Sequence, residues 1–181
     1  MLFYIGTYTS QGGEGLYSCQ FDPASGALSN LRPQARTANP TYLCLHPTKA
    51  VLYAANEVAE SDGEKTGAVS AYAVAADGAL TPLNQQPSHG TAPCYVSVDA
   101  TGRWLLVANY SSGSVAVLPV EEDGSLGPAA DVVQHEGIGA HPRRQEGPHA
   151  HFIRQDPAGR FVLACDLGTD EGKIYRPDAE R

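Results

Sequence analysis

The chain has 181 residues, of which 42% are hydrophobic and 18% are charged, and its formal net charge is -8. This balance is typical of one globular domain with its own core, and it excludes an intrinsically disordered chain. The acidic charge argues against a general nucleic-acid-binding protein. No apolar run reaches the roughly 18 residues that a membrane helix needs, so no membrane span is predicted.

The N-terminal segment, residues 1–7, reads as a strand of a mature protein, because it lacks the basic region of a signal peptide. The four cysteines are far apart in sequence and form no C-x-x-C pair. They are Cys19, Cys44, Cys94 and Cys165. We therefore predict reduced, buried thiols in a cytoplasmic protein, with disulfides or a zinc site as the alternatives.

Three stretches of the chain, residues 39–56, 92–109 and 147–166, resemble one another. Each has a proline at its entrance, a short strand, a turn and a second apolar strand that ends in Asn or Asp. Between them recur pairs of strands joined by glycine turns such as Asp77-Gly78 and Asp123-Gly124. The repeating unit is thus four short antiparallel strands in about 50 residues.

A four-stranded unit repeated at this length predicts an all-β fold, a β-propeller of antiparallel blades. A stacked β-sandwich is the alternative, but it would not produce a repeat of this length. We expect one partial propeller domain over residues 1–181. Its blades are predicted near residues 1–38, 39–91 and 92–146, with a fourth beginning at 147–181.

A cluster of titratable residues leads into the third repeat and includes its first strand entrance. His149 and His151 are two residues apart at a strand entrance, so alternation of side chains should send both imidazoles to one face. Arg143 and Arg144 lie just upstream, and an arginine can hold a phosphate or carboxylate bidentately. We expect this face to bind an anion and to move a proton near neutral pH.

Two glutamates are further candidates. Glu146 could take part in acid–base chemistry, or simply pair with Arg143 or Arg144. Glu57 follows the strand-ending Asn56 and could reach a ligand if that strand end faces a channel; a solvated loop carboxylate is the alternative.

The sequence gives little support to a metal site or a serine-hydrolase site. A zinc site would need further ligands beside the His-x-His pair, and His135, His141 and Glu146 are near in sequence. No H-E-x-x-H motif or cysteine pair supports it, so no metal is predicted. The pentad Gly-x-Ser-x-Gly is absent, which disfavours a serine hydrolase.

Four segments of this sequence resemble the seven-bladed β-propeller lactonase family. They are Phe-Tyr-Ile-Gly-Thr-Tyr-Thr at 3–9, Asn-Pro-Thr-Tyr-Leu at 39–43, Ala-Asn-Tyr-Ser-Ser-Gly-Ser-Val at 108–115 and Arg-Gln-Glu-Gly-Pro-His-Ala-His at 144–151. The resemblance covers nearly the whole chain in the family's order. It implies about three and a half blades, the N-terminal half of a ring, because family members are roughly twice as long. The chain would then be a fragment, a truncated product, or half of a self-associating ring. A fragment alone could be inactive, because half of the channel wall would be missing.

The resemblance also implies a function. We predict a cofactor-independent lactone hydrolase whose partner is a small anionic lactone, with 6-phosphogluconolactone as the expected substrate. His149 or His151 would assist water attack, with Glu146 as a further catalytic candidate. Arg144, Arg143 and Glu57 would bind the substrate. The alternatives are a carboxymuconate-type cycloisomerase, which the same family includes, and a non-catalytic propeller that binds a ligand or partner.

Overall fold

This computed structural model describes residues 1–178, which contain fourteen β-strands and one short 3-10 helix, Thr9–Gln11. The end of the predicted fourth blade, 179–181, lies outside the described residues. In chain order the strands are β1 (Leu2–Ile5), β2 (Leu16–Phe21), β3 (Leu28–Ala35), β4 (Pro40–Leu45), β5 (Val51–Asn56), β6 (Ala68–Val74), β7 (Leu80–Pro87), β8 (Pro93–Val98), β9 (Trp104–Asn109), β10 (Ser114–Pro119), β11 (Asp131–Gln134), β12 (Ala150–Gln155), β13 (Val162–Asp166) and β14 (Glu171–Tyr175). Across residues 1–178, no helix is long and apolar enough to cross a membrane.

The strands form four antiparallel sheets in which each strand pairs with its neighbours in sequence. The second and third sheets have four strands, β4–β7 and β8–β11. The first has three, β1–β3, and the fourth has three, β12–β14. Within residues 1–178, fourteen strands therefore amount to three and a half four-stranded blades, and the predicted all-β propeller fold is confirmed.

Glycine turns fix the ends of the blades and also their packing. Gly78 and Gly124 adopt positive φ angles of 84° and 89°, a region that favours glycine. The carbonyl of Gly78 accepts a hydrogen bond of 2.9 Å from Tyr4 Oη of the preceding blade. The carbonyl of Gly124 accepts one of 2.9 Å from Tyr53 in the same way. Each Asp-Gly turn that the sequence predicted thus also joins one blade to the one before it.

Hydrophobic cores lie between successive sheets rather than within one sheet. The largest joins the second and third blades through fully buried side chains that include Tyr53, Val96 and Leu105. Separate clusters join the first blade to the second and the third blade to the fourth. Burial of each large apolar side chain contributes about 1.5–3 kcal/mol, so face-to-face packing of the blades is the main source of stability.

The four cysteines are unpaired, so the predicted reduced state holds among the described residues. The expectation that all four are buried is wrong. Cys19 is buried and Cys165 is exposed, because burial alternates along β13 and Cys165 lies on the outward face.

Candidate active site

A β-bulge interrupts the first strand of three blades at the same place. The ladder between the first and second strands skips one residue on the first strand, and the skipped residues are Thr41, Cys94 and His151. The residues that follow them stack in a row across the blades. The ring centroids are 4.2 Å apart for Tyr42 and Tyr95, and 4.8 Å apart for Tyr95 and Phe152. Thr41, Cys94 and His151 are therefore equivalent positions that lie side by side.

A second set of equivalent positions follows the second strand of each blade. The backbone N–H of Glu57, of Tyr110 and of Leu167 each donates a 2.9 Å hydrogen bond to the chain just before the first strand of its own blade. These residues come directly after the strand-ending Asn56, Asn109 and Asp166. Each of the three blades thus has two backbone positions, six in all, with equivalent backbone geometry. The side chains at these positions differ from blade to blade.

These six positions surround one cavity of about 720 Å³. The residues that line it are Tyr8, Thr41, Glu57, Cys94, Tyr110, Arg144, His151, Cys165, Asp166 and Leu167. Three of the residues predicted for the site, Glu57, Arg144 and His151, are therefore brought to one cavity from the second, third and fourth blades.

Tyr110 joins the cationic side of this cavity. Its ring stacks on the His149 imidazole, with centroids 4.6 Å apart, and meets the His151 imidazole edge-on at 5.5 Å. Its hydroxyl accepts a 3.1 Å hydrogen bond from Arg144 Nη2. A single aromatic side chain thus fixes the relative positions of a guanidinium and two imidazoles.

The prediction that strand alternation sends both imidazoles to one face is wrong. His149 precedes β12, which begins at Ala150, and the bulge at His151 breaks the alternation of side chains. His149 Nδ1 lies 3.0 Å from the Tyr110 carbonyl oxygen and is half-buried behind the cavity lining. His151 is exposed and lines the cavity itself.

The acidic side of the cavity is organised by Glu57. Its Oε2 accepts hydrogen bonds from Thr41 Oγ1 at 2.6 Å and from Tyr8 Oη at 2.9 Å. The hydrogen bond to Glu57, with some burial, raises the pKa of the Tyr8 hydroxyl above its ordinary value. Glu57 is thus a held carboxylate within the site rather than a free loop residue.

Cys94 lies beside this carboxylate and is unsuited to act as a nucleophile. Burial, reinforced by the charge of Glu57, raises the pKa of its thiol to about 12. The thiol therefore stays protonated at neutral pH, and the thiolate is the reactive form.

The remaining predicted residues lie outside the cavity lining. Arg143 and Glu146 are exposed, and neither side chain makes a hydrogen bond or ion pair with a described residue. The loop that carries them is held by Gln145. Its Nε2 donates to the Leu167 carbonyl at 2.8 Å, and its Oε1 accepts from the His141 N–H at 2.7 Å. This anchoring orients Arg144 toward Tyr110.

The alternative of a metal site finds no support in residues 1–178, where no cluster of three or more suitable ligands occurs. Both ring nitrogens of His135 already have partners. Nδ1 lies 2.5 Å from Asp166 Oδ2, and Nε2 lies 2.6 Å from Tyr175 Oη.

Sequence reasoning did not identify Tyr110 or Tyr8 as site residues. A signal for Tyr110 was present, because it occupies the same repeat position as Glu57, directly after a strand-ending Asn. Positions that share one backbone frame but change side-chain chemistry from blade to blade are candidates for ligand contacts. Tyr8 lies in the first blade, outside the three aligned stretches, so the repeat gave no such signal for it.

The chain is similar to known proteins over nearly its whole length. The sequence model of the family described as lactonase, 7-bladed β-propeller, matches residues 2–181. The 6-phosphogluconolactonase of Bacillus subtilis is 42% identical over 174 residues, which is 96% of this chain and 48% of the relative.

Two solved structures are also similar. A Bacteroides fragilis protein described as a 6-phosphogluconolactonase is 36% identical with a TM-score of 0.89, over 98% of this chain and 48% of the other. The periplasmic gluconolactonase of Pseudomonas aeruginosa is 37% identical with a TM-score of 0.89, over 97% and 50%. The chain spans about half the length of the relatives that it matches, and it belongs to the seven-bladed β-propeller lactonase family.

Proposed function

We propose that this chain forms part of the active site of a hydrolase that opens an anionic sugar-acid lactone, with 6-phosphogluconolactone as the expected substrate. The observation that carries the proposal is the cavity in which Arg144, His151 and Glu57 meet. The names of the similar proteins from Bacillus subtilis and Pseudomonas aeruginosa support the reaction class.

Arg144 is the anion-binding group in this proposal. One of its N–H groups is engaged by Tyr110, which fixes the guanidinium at the cavity wall and leaves its other donors for a phosphate or carboxylate. A planar guanidinium can bind such a group through two parallel hydrogen bonds. Arg143, on the same loop and free of ion pairs with described residues, is the second cation available for the developing oxyanion.

His151 is the base in this proposal. Its exposed imidazole takes a proton from water as the water oxygen attacks the lactone carbonyl carbon. The ring C–O bond then breaks, and the proton passes to the departing alkoxide to leave a hydroxy acid. His149, held behind it by the Tyr110 ring and carbonyl, supports this geometry rather than contacting the substrate.

Glu57 favours a lactone over carboxymuconate, the tricarboxylate substrate of the rival cycloisomerase. A carboxylate in the cavity wall accepts hydrogen bonds from sugar hydroxyls, whereas it repels a second carboxylate on a ligand. Its partners Tyr8 and Thr41 add hydroxyl groups of the kind that bind polyols. A non-catalytic ligand-binding propeller remains the rival that experiment must exclude.

The test is hydrolysis of 6-phosphogluconolactone by the purified 181-residue chain, alongside carboxymuconate as the competing substrate. We expect lactone opening faster than in buffer, no turnover of carboxymuconate, and loss of at least about 100-fold in kcat for His151→Ala. Binding of 6-phosphogluconate without any lactone opening would support the non-catalytic rival. If the folded chain neither binds 6-phosphogluconate nor opens the lactone, the proposal is contradicted.

A further inference from the structure

The junction between the third and fourth blades differs from the two before it. The linker between blades runs over residues 36–39 at the first junction, 88–92 at the second and 135–149 at the third. The long third linker carries Arg144 and ends at His149. A loop of that length costs more conformational entropy to close than the short ones, so its ends need stronger anchoring.

All three junctions use one buried slot, in which the last residue of a blade's second strand reaches back to the start of the linker. At the first junction, Asn56 Nδ2 donates to Thr37 Oγ1 at 2.8 Å. At the second, Asn109 Nδ2 donates to the Ser88 carbonyl at 2.9 Å. The backbone N–H of His135 donates to the Gly113 carbonyl at 3.0 Å, and that of Ser88 donates to the Gly67 carbonyl at 2.9 Å. Each glycine directly precedes the third strand of its blade, so His135 is the counterpart of Ser88.

At the third junction the neutral pair is replaced by an acid and an imidazole. Asp166 Oδ2 lies 2.5 Å from His135 Nδ1, and both side chains are fully buried. Tyr175 Oη lies 2.6 Å from the other ring nitrogen of His135 and completes the cluster. Charge-assisted hydrogen bonds are roughly twice as strong as neutral ones.

The second oxygen of Asp166 holds the other end of the same loop. Asp166 Oδ1 accepts the backbone N–H of His149 at 2.8 Å, as well as those of Gly168 at 2.9 Å and Thr169 at 3.0 Å. One carboxylate therefore touches the first residue of the linker, His135, and its last, His149. Asp166 also lines the cavity, so this contact lies directly behind the site.

We propose that Asp166, with His135 and Tyr175, is a clamp that closes the base of loop 135–149 and thereby positions Arg144 and the two imidazoles around Tyr110. Asp166 and His135 are positioning residues in this scheme, because they act through the loop. The clamp itself is a structural claim; only its consequence for catalysis rests on the proposed function.

The test compares Asp166→Ala, Asp166→Asn and Asn56→Ala by hydrogen–deuterium exchange. Asn56→Ala is the matched control, because it empties the equivalent buried slot of another blade without touching the loop. We expect the His149 amide to exchange at least about tenfold faster in Asp166→Ala than in Asn56→Ala, since a hydrogen bond to a charged group is stronger than one between neutral groups. Asp166→Asn should show a smaller increase over the natural chain, because its amide oxygen can still accept the His149 N–H.

A second readout follows the imidazoles. We expect the ring-current shift of the His149 Cε1–H, which its stacking on Tyr110 produces, to weaken in Asp166→Ala and to persist in Asn56→Ala. Equal exchange and unchanged ring shifts in the two alanine variants would overturn the clamp. If Asp166→Ala does not fold, Asp166→Asn decides, and unchanged His149 exchange in that variant overturns the clamp.

Lactone kinetics on the same proteins separate this proposal from the proposed function. A working clamp predicts a raised KM for 6-phosphogluconolactone in Asp166→Asn, through displacement of Arg144. An inactive natural chain would count against the hydrolase, while the exchange results would still decide the clamp.

Discussion

At the scale of single residues, Tyr110 explains why only one of two adjacent arginines is fixed at the cavity wall. Arg144 Nη2 donates to the Tyr110 hydroxyl, whereas the Arg143 guanidinium makes no hydrogen bond or ion pair with a described residue. Anchoring one donor of a long side chain lowers the entropy that binding must still remove. Arg143 and Arg144 are neighbouring residues of the same type, but only the Arg144 guanidinium is held by a hydrogen bond to Tyr110.

We therefore expect Arg144→Ala to weaken the binding of 6-phosphogluconate by at least about tenfold, through loss of a bidentate charged contact. Arg143→Ala should have a smaller effect. Arg160→Ala is the control, because Arg160 is an exposed arginine of a distant turn whose partner is Asp156. Isothermal titration calorimetry measures all three affinities; equal losses in the three variants would indicate a general charge effect instead of a site.

The Asp166 carboxyl should give acid unfolding a distinct component. Burial alone would raise its pKa, but hydrogen bonds from the His149 N–H, from His135 and from Thr169 lower the pKa below the ordinary value of 3.8. A carboxyl group whose pKa is lower in the folded state than in the unfolded state stabilises the fold. Its full contribution is present when the pH is above the unfolded-state pKa, and it is lost as the pH falls through the folded-state pKa.

We therefore expect the free energy of unfolding of the natural chain to exceed that of Asp166→Asn at about pH 5. This difference in free energy should narrow toward about pH 2. Urea titrations at several pH values measure it. The nearby Glu171, whose pKa is lowered mainly by its hydrogen bond to Lys173, also feels the Asp166 charge, so the comparison is made in a Glu171→Gln background that removes its titration. A gap that does not change with pH would contradict this account of Asp166.

At the scale of the strands, the sequence was sufficient to predict the repeat, the antiparallel blades and the glycine turns, because each depends on local pattern. The bulges were not predictable in this way. The prolines at 40, 93 and 148 align in sequence, but Ala150, and not Pro148, pairs at the position of Pro40 and Pro93. Relative to its proline, β12 therefore begins two residues later than β4 and β8 do. No local sequence preference predicts this shift, because the pairing of β12 with β13 decides the register.

The turn after β13 gives a prediction at this scale. A Cβ on Gly168 would lie 1.8 Å from the Gly147 carbonyl oxygen and 2.7 Å from the His149 nitrogen, both backbone atoms that cannot move aside cheaply. We expect Gly168→Ala to destabilise the fold by about 2 kcal/mol or more and to displace the His149 segment. Gly172→Ala in β14, where nothing lies within 4 Å, is the control and should change stability by less than about 1 kcal/mol. Chemical denaturation measures both, and equal effects would contradict the packing described.

At the scale of the whole molecule, the two outer blades carry large apolar side chains that are exposed. Phe3 and Leu31 are exposed on the first sheet, and Leu163 and Ile174 on the fourth; Ile174 is 68% exposed. Exposed apolar faces of this kind favour association, and pairing of unfilled sheets would close a ring.

We expect the 181-residue chain to self-associate in sedimentation velocity experiments, with a mass that rises with concentration. Leu163→Glu combined with Ile174→Glu should shift the chain toward monomer, because burying a carboxylate in an apolar interface is costly. Val132→Glu, on the outermost strand of a four-stranded blade, should leave the distribution unchanged. A monomer at all concentrations would contradict this expectation.

The central claim is that the cavity around Tyr110 binds an anionic sugar acid, and the most direct measurement is chemical-shift mapping of the 181-residue chain with 6-phosphogluconate. The account predicts that the largest changes fall on Arg144, His151 and Glu57, which come from three blades and share only this cavity. A separate cavity of about 480 Å³, lined by Lys65 and His89 among others, offers the chain's own comparison. Changes centred on that second cavity, or none at the first, would contradict the assignment of the site.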